Sequence, residues 1–413
     1  MYKRQDLIIG GTQDNGTNKK TSSSSVFTRI LGSDGMDCAF GSSSNSIHFA
    51  SEQDGVISRS GNSGSTFIEF ANPDLVNTAI GYAAGTLEGQ WCTPIALHPS
   101  NDNIIFIGYN ILIKGTRDAA LGFYTFQGLS GTSSAQTFVK TGVSNADRIY
   151  IADNNQYFTN SSSAYNTVRR SDDGGANWTT IRSQGRNAWP PVTDLAVNPG
   201  NSLEIWLTYG GFTAGGKVFY SSDGGANWTN VTGTLPNVPI NCIVYGDDAN
   251  NTNDPVYIGT DIGVFYRDNT LADWIPFSNG LPSVEVTDLE LNLADNLLRA
   301  GTYGRGMWET SLYSNCVANL TLSTANQSIP ASYYHQVSNN ISSTAITLGT
   351  GAEVFYKSGV EVELKDGFIA SALDTTSTFR AFIGPCGGGV PISRSTIFPP
   401  EVKTGRLVGR LKE

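Results

Sequence analysis

The sequence predicts an all-β fold built from repeated units and followed by a smaller β-module. Only 15% of the 413 residues are charged and 46 are glycine, whereas about a quarter of an average soluble chain is charged. A short alternating segment recurs along the first three hundred residues. An eight-residue pattern, SDDGGANW at 171–178, also returns almost unchanged as SSDGGANW at 221–228. Such a composition and such repetition are typical of many short strands joined by tight turns.

The alternating segments have the spacing of propeller blades. They begin at residues 36, 92, 146, 192, 240 and 286, and a polar turn and a second apolar run follow each of them. A period of about 50 residues is close to that of one four-stranded blade. Residues 6–31 supply the last three strands of a first blade, and residues 286–313 supply three strands of a last one. The sequence therefore predicts a β-propeller of about seven blades with incomplete end blades, its N-terminal part truncated.

The two repeated segments, which we call the octads, are predicted to be hairpin turns between the third and fourth strands of a blade. Asp223 can accept backbone hydrogen bonds in the tight loop, the glycine pair permits positive φ, and Trp228 can pack into the blade. A catalytic site needs its residues once, whereas a structural unit needs them in every copy. The residues assigned this structural role are Ser171, Asp173, Gly175, Trp178, Ser221, Asp223, Gly225 and Trp228.

The octads also carry a family resemblance. Their pattern, Ser-x-Asp-x-Gly-x-(Thr/Asn)-Trp, resembles the Asp-box of sialidase-like, xyloglucanase-like and sortilin-like β-propellers. The segments IGGTQDNGT at 9–17 and AGTYGRGMWE at 300–309 are similar to sequences of the same large family in secreted bacterial proteins. The resemblance implies an Asp-box β-propeller over residues 1–313, and it is specific for the fold rather than for an activity.

The pattern of strands and turns in the sequence changes after residue 313. Short alternating runs divided by glycine turns predict a small solenoid-like β-module over 314–386. The sequence of this region resembles the three-coathanger stack module of secreted bacterial proteins that use type IX secretion. A disulfide between Cys316 and Cys386 would pin the ends of this module and contribute about 4 kcal/mol, with two unpaired thiols as the alternative. Residues 387–413 are predicted to be a linker or flexible tail.

Charge and composition limit the partners. The net charge of −10 argues against nucleic acid, and no apolar run is long enough for a membrane span. The three histidines show no metal-ligand spacing, so we expect neither a metal nor another cofactor. The opening MYKRQDLIIGG lacks the apolar core of a signal peptide, so either the protein is cytoplasmic or its beginning is missing. We expect the second, because the repeat starts in mid-unit. The resemblance implies a secreted or cell-surface protein. The oligomeric state stays open.

The turns of a propeller are divided between two faces. The octads belong to one face, and the second-to-third and fourth-to-first connections form the other, which we call the loop-rich face. Aromatic rings beside carboxylates suit a sugar, because its C–H surface stacks on the ring and its hydroxyls bind the acids. The predicted ligand-binding residues of this face are Asp14, Asp34, Asp54, Trp91, Trp189, Tyr209, Asp261, Tyr303 and Arg305.

Three classes of function remain at this stage. The first is non-catalytic binding of a glycan or another extracellular polymer, which we favour. The second is a xyloglucanase-like glycoside hydrolase, for which Asp14 and Asp34 are the best candidates, because such enzymes use two carboxylates about 5 to 9.5 Å apart. Both aspartates also suit ordinary turns. The third is a sortilin-like receptor for peptides or proteins.

Overall fold

The computed structural model describes most of the propeller and the strands of the C-terminal region. The described residues are 7–21, 26–42, 44, 46–129, 131, 136–154, 165–185, 190–246, 253–278, 280–293, 297–313, 317–322, 328–329, 333–343, 346–348, 353–358, 361–364, 370–372, 378–383 and 410–412. The chain divides into two compact units, residues 1–276 with 282–308, and residues 277–281 with 309–413. Cys316, Cys386 and the predicted tail residues 387–409 lie outside the described residues.

Seven antiparallel sheets follow one another along the first part of the chain, and within each sheet the strands pair in chain order. This arrangement is a seven-bladed β-propeller, so the predicted all-β propeller fold is confirmed. Blades 1 to 3 contain β1 (Leu7–Thr12), β2 (Gly16–Thr21) and β3 (Thr28–Leu31); β4 (Gly35–Phe40), β5 (His48–Glu52), β6 (Ile57–Ser60) and β7 (Ile68–Ala71); and β8 (Ile95–His98), β9 (Asn101–Gly108), β10 (Leu112–Arg117) and β11 (Tyr124–Gly128).

Blades 4 to 7 continue the pattern. They contain β12 (Gln136–Thr141), β13 (Ile149–Asn154), β14 (Tyr165–Ser171) and β15 (Thr179–Gly185); β16 (Val192–Val197), β17 (Ile205–Tyr209), β18 (Val218–Ser221) and β19 (Thr229–Asn230); β20 (Ile240–Tyr245), β21 (Val256–Thr260), β22 (Gly263–Arg267) and β23 (Ile275–Pro276); and β24 (Val286–Asn292), β25 (Leu297–Thr302) and β26 (Gly306–Ser311). The first and last sheets have three described strands each.

The structure corrects one repeat boundary. The segment beginning at 146 was expected to open a blade, but its strand β13 is the second strand of blade 4, and β12 precedes it. β12 has the sequence QTFVKT, in which only Phe138 and Val139 are apolar. The more apolar IYIA run of β13 therefore gave the stronger signal in the sequence.

An α-helix interrupts the strands in the described part of the propeller. α1 (Pro73–Ile80) lies in the connection between β7 and β8, and the side chain of Asn72 caps it by accepting a hydrogen bond from the N–H of Leu75 at 2.8 Å. Gly81 ends it with φ of 76°. Among the described residues, no helix is long and apolar enough to cross a membrane.

Apolar side chains fill the space between neighbouring sheets. One cluster joins blades 4 and 5 through Tyr150, Leu195 and Tyr209, all of which are fully buried. Another joins blades 5 and 6 through Trp206, whose ring centroid lies 5.0 Å from that of Tyr245. Because side chains alternate between the two faces of each strand, every inner sheet contributes to two such layers.

The second unit contains mostly parallel strand pairs. Its strands are β27 (Val317–Leu322), β28 (Ser328–Ile329), β29 (Tyr333–Ser343), β30 (Ile346–Leu348), β31 (Glu353–Ser358), β32 (Glu361–Leu364), β33 (Ala370–Ala372), β34 (Thr378–Ile383) and β35 (Arg410–Lys412). β29 pairs in parallel with β27, β31 and β32, whereas β35 pairs antiparallel with β32.

Candidate functional site

The two octads form matching turns, between β14 and β15 and between β18 and β19. The carboxylate of Asp173 accepts hydrogen bonds from the N–H and side-chain amide of Asn177 at 2.8 and 2.7 Å. Ser171 donates to Asp173 at 2.8 Å and accepts from the N–H of Gly175 at 2.9 Å. These hydrogen bonds, led by those from Asn177, lower the pKa of Asp173 to about 2. The acid is thus ionised and engaged within its own turn.

The second octad repeats these contacts. Asp223 accepts hydrogen bonds from the backbone and side chain of Asn227 at 2.9 and 2.7 Å, and Ser221 donates to Asp223 at 2.8 Å. The backbone and side-chain groups of Asn227 lower the pKa of Asp223 to about 2. The two aspartates therefore have the same local environment in successive blades.

The octad tryptophans contact neighbouring blades. The indole N–H of Trp228 donates to the carbonyl of Ile181 in blade 4 at 3.1 Å. Trp178 donates to Gly175 at 3.1 Å within its own turn, and its ring packs on the apolar cluster shared with blade 3. Trp274 of blade 6 donates to Val231 of blade 5 at 2.7 Å. These rings stabilise the boundaries between sheets.

The loop-rich face has a repeated turn of its own. The hydroxyl of Thr12 donates to the carbonyl of Gly16 at 2.9 Å, and Thr260 donates to Gly263 at 2.8 Å. Thr302 donates to Gly306 at 2.6 Å in the corresponding turn of blade 7. These turns present Asp14, Asp261, and Tyr303 with Arg305. A Gly-Thr pair precedes each turn in the sequence, and this repeat could have identified them as equivalent.

Three predicted acids and one tryptophan lie along a continuous rim, which we define as Asp14, Asp34, Asp54 and Trp91. The N–H of Asp14 donates to the carboxylate of Asp34, and the N–H of Asp34 donates to the side chain of Gln53 at 3.1 Å. Asp54 and the loop that carries Trp91 are also in contact, since Gly89 packs against the backbone of Asp54. The side chain of Trp91 is 44% exposed. The rim thus offers carboxylates and an accessible aromatic ring.

The remaining predicted residues have different outcomes. Tyr303 is 72% exposed. Its blade, blade 7, contacts blade 1 where Met307 lies against Gly10. Asp261 accepts a hydrogen bond from the side chain of Asn241 at 3.0 Å. The prediction for Tyr209 is wrong, because this residue is fully buried. Its strand β17, IWLTY, is apolar along most of its length and buried throughout, so its last residue packs in the core. Trp189 lies outside the described residues.

The innermost strands carry a second set of charged residues, which we call the channel acids: Asp37, Asp194, Asp288 and Glu290. Lys140 forms an ion pair with Asp194 at 2.8 Å. Asp37 and Asp194 each accept a hydrogen bond at 3.1 Å from an N–H of the following blade, that of Ile95 and that of Ile243. The sequence reasoning missed these residues, although VTDLAV and VTDLEL carry an aspartate at the same place.

The position of these groups among the innermost strands shifts their pKa values. Loss of hydration raises the pKa of Asp37 to about 6, against the hydrogen bond from Ile95. Loss of hydration, followed by the charge of Asp288, raises the pKa of Glu290 to about 8. For Lys140, enclosure favours the neutral amine, but the attraction of Asp194 outweighs it and the pKa is raised. Within the described part of the chain, no group of three or more His, Cys, Asp or Glu side chains is placed to hold a metal ion.

The comparisons with known proteins concern the fold. No family model matches the sequence, and no curated protein matches it. An ancestral GH74 enzyme has a similar structure, with a TM-score of 0.55 and 14% identity over 76% of this chain and 44% of the enzyme. The GH74 enzyme of Niastella koreensis gives a TM-score of 0.45 and 17% identity over 73% of this chain and 49% of that chain.

A third solved structure comes from a different kind of protein. YCF48 from Cyanidioschyzon merolae gives a TM-score of 0.46 and 10% identity over 74% of this chain and 85% of that chain. The present chain spans less than half the length of the two GH74 enzymes. At these identities, the likeness to the ancestral GH74 enzyme shows the propeller fold.

Proposed function

We propose that this protein is a secreted or cell-surface propeller that binds an extracellular glycan along the rim of its loop-rich face, without cleaving it. The observation that carries the proposal is the exposed Trp91 on the same connected rim as Asp14, Asp34 and Asp54. An exposed indole provides a flat apolar surface for a sugar ring, and nearby carboxylates accept hydrogen bonds from its hydroxyls. Tyr303 offers a second exposed ring on this face.

The acids of the two faces have different contacts, and this difference supports the proposed binding site on the loop-rich face. The carboxylates of Asp173 and Asp223 are engaged within the octad turns, whose hydrogen bonds agree with the proposed Asp-box role. Asp34 likewise orders the Asp14 turn by accepting its N–H, so it shapes the rim. Exposure at the cell surface is the setting that the resemblance of the C-terminal module to three-coathanger stack modules implies.

Binding by the rim can be tested with soluble polysaccharides. We expect the wild-type chain to be retarded in affinity electrophoresis by at least one gel of a panel that includes xyloglucan and mixed-linkage β-glucan. Trp91→Ala should weaken the binding at least about tenfold, since stacking on an aromatic ring is lost. Phe123→Ala is the matched control, because Phe123 is 54% exposed in a third-to-fourth turn on the opposite face. Equal retardation of the wild type and Trp91→Ala would contradict the proposal, as would binding of unfolded peptides without any polysaccharide.

A glycoside hydrolase is the second candidate. Two observations favour it: the contact between Asp14 and Asp34, and the fold likeness to an ancestral GH74 enzyme. Under this alternative, incubation with xyloglucan releases reducing ends, and Asp14→Ala or Asp34→Ala abolishes the release while Asp74→Ala does not. Binding without any release of reducing ends favours the first proposal.

A further inference from the structure

Two arginines on the outer strands of blades 2 and 3 lack an acidic partner. Arg59 lies on β6 and Arg117 ends β10. Among the described residues, which include all of 46–129, neither guanidinium group forms an ion pair with a carboxylate. The Nε of Arg59 and the hydroxyl of Tyr124 are buried and have no hydrogen-bond partner in this part of the chain. Buried donors without a partner cost free energy, so this place favours an added acceptor.

These groups face one another across the boundary between the two blades. The ring of Tyr124 stacks on that of Phe70 in β7, with centroids 4.0 Å apart. Arg117 is the direct cross-strand partner of Tyr124, so its side chain lies on the same face of blade 3. On blade 2, Arg59 is the partner of Ile68, which lies two residues before Phe70 and therefore on the same face of β7. The two arginines thus line one cleft from opposite sides.

The charged groups of this cleft act on one another. Burial raises the pKa of Tyr124 to about 12, against the nearby positive charges of Arg59 and Arg117. Loss of hydration lowers the pKa of Arg59, and the charge of Arg117 lowers it further. We call the place defined by Arg59, Ile68, Arg117, Leu121 and Tyr124 the arginine cleft.

The carboxylates of this region have other partners. Asp102, whose negative charge reaches the cleft, accepts hydrogen bonds from the backbone N–H and the hydroxyl of Ser42. Asp118 accepts two backbone N–H groups of its own turn, both at 2.8 Å. Glu69 follows Ile68 in β7, so its side chain lies on the other face of that strand. The arginine cleft therefore has positive charge that these acids do not pair.

Exposed aliphatic side chains flank the cleft. Ile68 is 72% exposed and Leu121 is 71% exposed. Leu121 precedes Gly122, where a β-carbon would lie 3.2 Å from Nη2 of Arg117. Aliphatic side chains have no flat ring face on which a sugar can stack, whereas apolar side chains of a protein pack closely against them. The combination suits a peptide that carries carboxylates next to apolar residues.

We propose that the arginine cleft binds an acidic segment of a partner protein, whose adjacent carboxylates pair with Arg59 and Arg117 and whose neighbouring apolar side chains cover Ile68 and Leu121. Guanidinium–carboxylate pairs are charge-assisted and directional, and the apolar contacts around them exclude water. The cleft lies at third-to-fourth turns, on the face that carries the octads. The proposal is therefore independent of the glycan site on the loop-rich face.

Three end-capped peptides test the proposal with the full chain. They are GSFEELGS, then GSFQQLGS without the carboxylates, and GSSEESGS without the apolar side chains. Fluorescence anisotropy should show saturable binding of GSFEELGS, at least about tenfold tighter than that of either other peptide. Added salt should weaken this binding, because partly exposed ion pairs are screened. Absence of saturable GSFEELGS binding, or equal binding of GSFQQLGS, would overturn the proposal.

Variants then locate the charge. In Arg117→Gln, the preference for GSFEELGS over GSFQQLGS should fall to within about twofold. Arg29→Gln, at an exposed position of β3, should keep the preference, and an equal loss in this control would overturn the proposal. Trp91→Ala should also keep it, so failure of peptide binding and failure of glycan binding are separable.

Two further measurements test the apolar contacts and the class of partner. Leu121→Ser should weaken GSFEELGS binding at least about threefold, whereas Val143→Ser, at a position 47% exposed, should not. Polygalacturonate offers carboxylates on a polysaccharide. If it binds in a way that Arg117→Gln abolishes, while GSFEELGS does not bind, the partner is an acidic glycan and the proposal is wrong.

Discussion

At the scale of single residues, the octad turns depend on their second glycine. Gly175 has φ of 93°, and a β-carbon there would lie 2.5 Å from Cδ1 of Leu129. Gly174, its neighbour, has φ of 69°, and a β-carbon there would be 3.7 Å from the nearest atom, Oδ1 of Asp147. Gly175 therefore allows both the turn and the close approach of blade 3.

We expect Gly175→Ala to destabilise the propeller by about 1–3 kcal/mol more than Gly174→Ala, because only the former adds a steric overlap to the strained backbone. Thermal unfolding of both variants followed by circular dichroism measures the difference. Equal melting temperatures would show that the contact with Leu129 adjusts at no cost.

Residue type alone does not decide which aromatic side chains are accessible. Tyr209 and Tyr303 both lie near second-to-third turns, but the first is fully buried and the second is 72% exposed. The difference arises because Tyr209 ends a fully buried strand, whereas Tyr303 stands one residue beyond β25 at the tip of its turn. The rim acids were predictable for a related reason, since aspartate beside glycine in a tight turn is rarely buried.

At the scale of elements, Arg182 of β15 links blades 4 and 5. Its guanidinium carbon lies 4.0 Å from the ring centroid of Phe219 and 5.5 Å from that of Trp228, and its Nε donates to the hydroxyl of Tyr209.

We expect Arg182→Lys to lower the free energy of unfolding by about 1–2 kcal/mol, because lysine loses the planar stacking and the directed hydrogen bond. Chemical denaturation measures this loss. Arg29→Lys, at an exposed position of β3, is the control. A similar loss of stability in both variants would contradict the role of Arg182 in linking blades 4 and 5.

The elements differ in how clearly the sequence marks them. The octads and the VTDL strands repeat with little change, so their blades were predictable. β12 was missed because its function in the ring is partly electrostatic: Lys140 replaces an apolar residue and pairs with the next blade. α1 does carry helix signals, namely Asn72 as a cap, Pro73 in the first turn and Gly81 at the end, but a strand-based repeat gives no place to an inserted helix.

At the scale of the whole molecule, the pKa values of the carboxyl groups differ with their place in the propeller. The octad acids have lowered pKa values because hydrogen-bond donors surround them. Asp37, which is half-buried, has a raised pKa because it loses hydration, and Glu290, which is exposed, has a raised pKa because of reduced hydration together with the charge of Asp288. This contrast could not be predicted from the sequence, since it requires several innermost strands, far apart in the chain, to meet around one axis. The sequence identified the blades, and the assembled ring determines the charge state.

The raised pKa values imply a definite dependence of stability on pH. In the folded protein the carboxyl groups of Asp37 and Glu290 hold their protons up to pH values of about 6 and 8, whereas in the unfolded chain they ionise near their ordinary values of 3.8 and 4.5. The folded state thus binds more protons between these limits, so the contribution of these groups is fully present below their unfolded pKa values and is lost as the pH rises. We expect the melting temperature to fall between pH 5 and pH 8, and Glu290→Gln to flatten this slope, because glutamine has no proton to lose. Scanning calorimetry at several pH values measures both slopes, with Glu88→Gln as a control outside the channel acids. An unchanged slope in Glu290→Gln would show that Glu290 is fully hydrated in the folded protein.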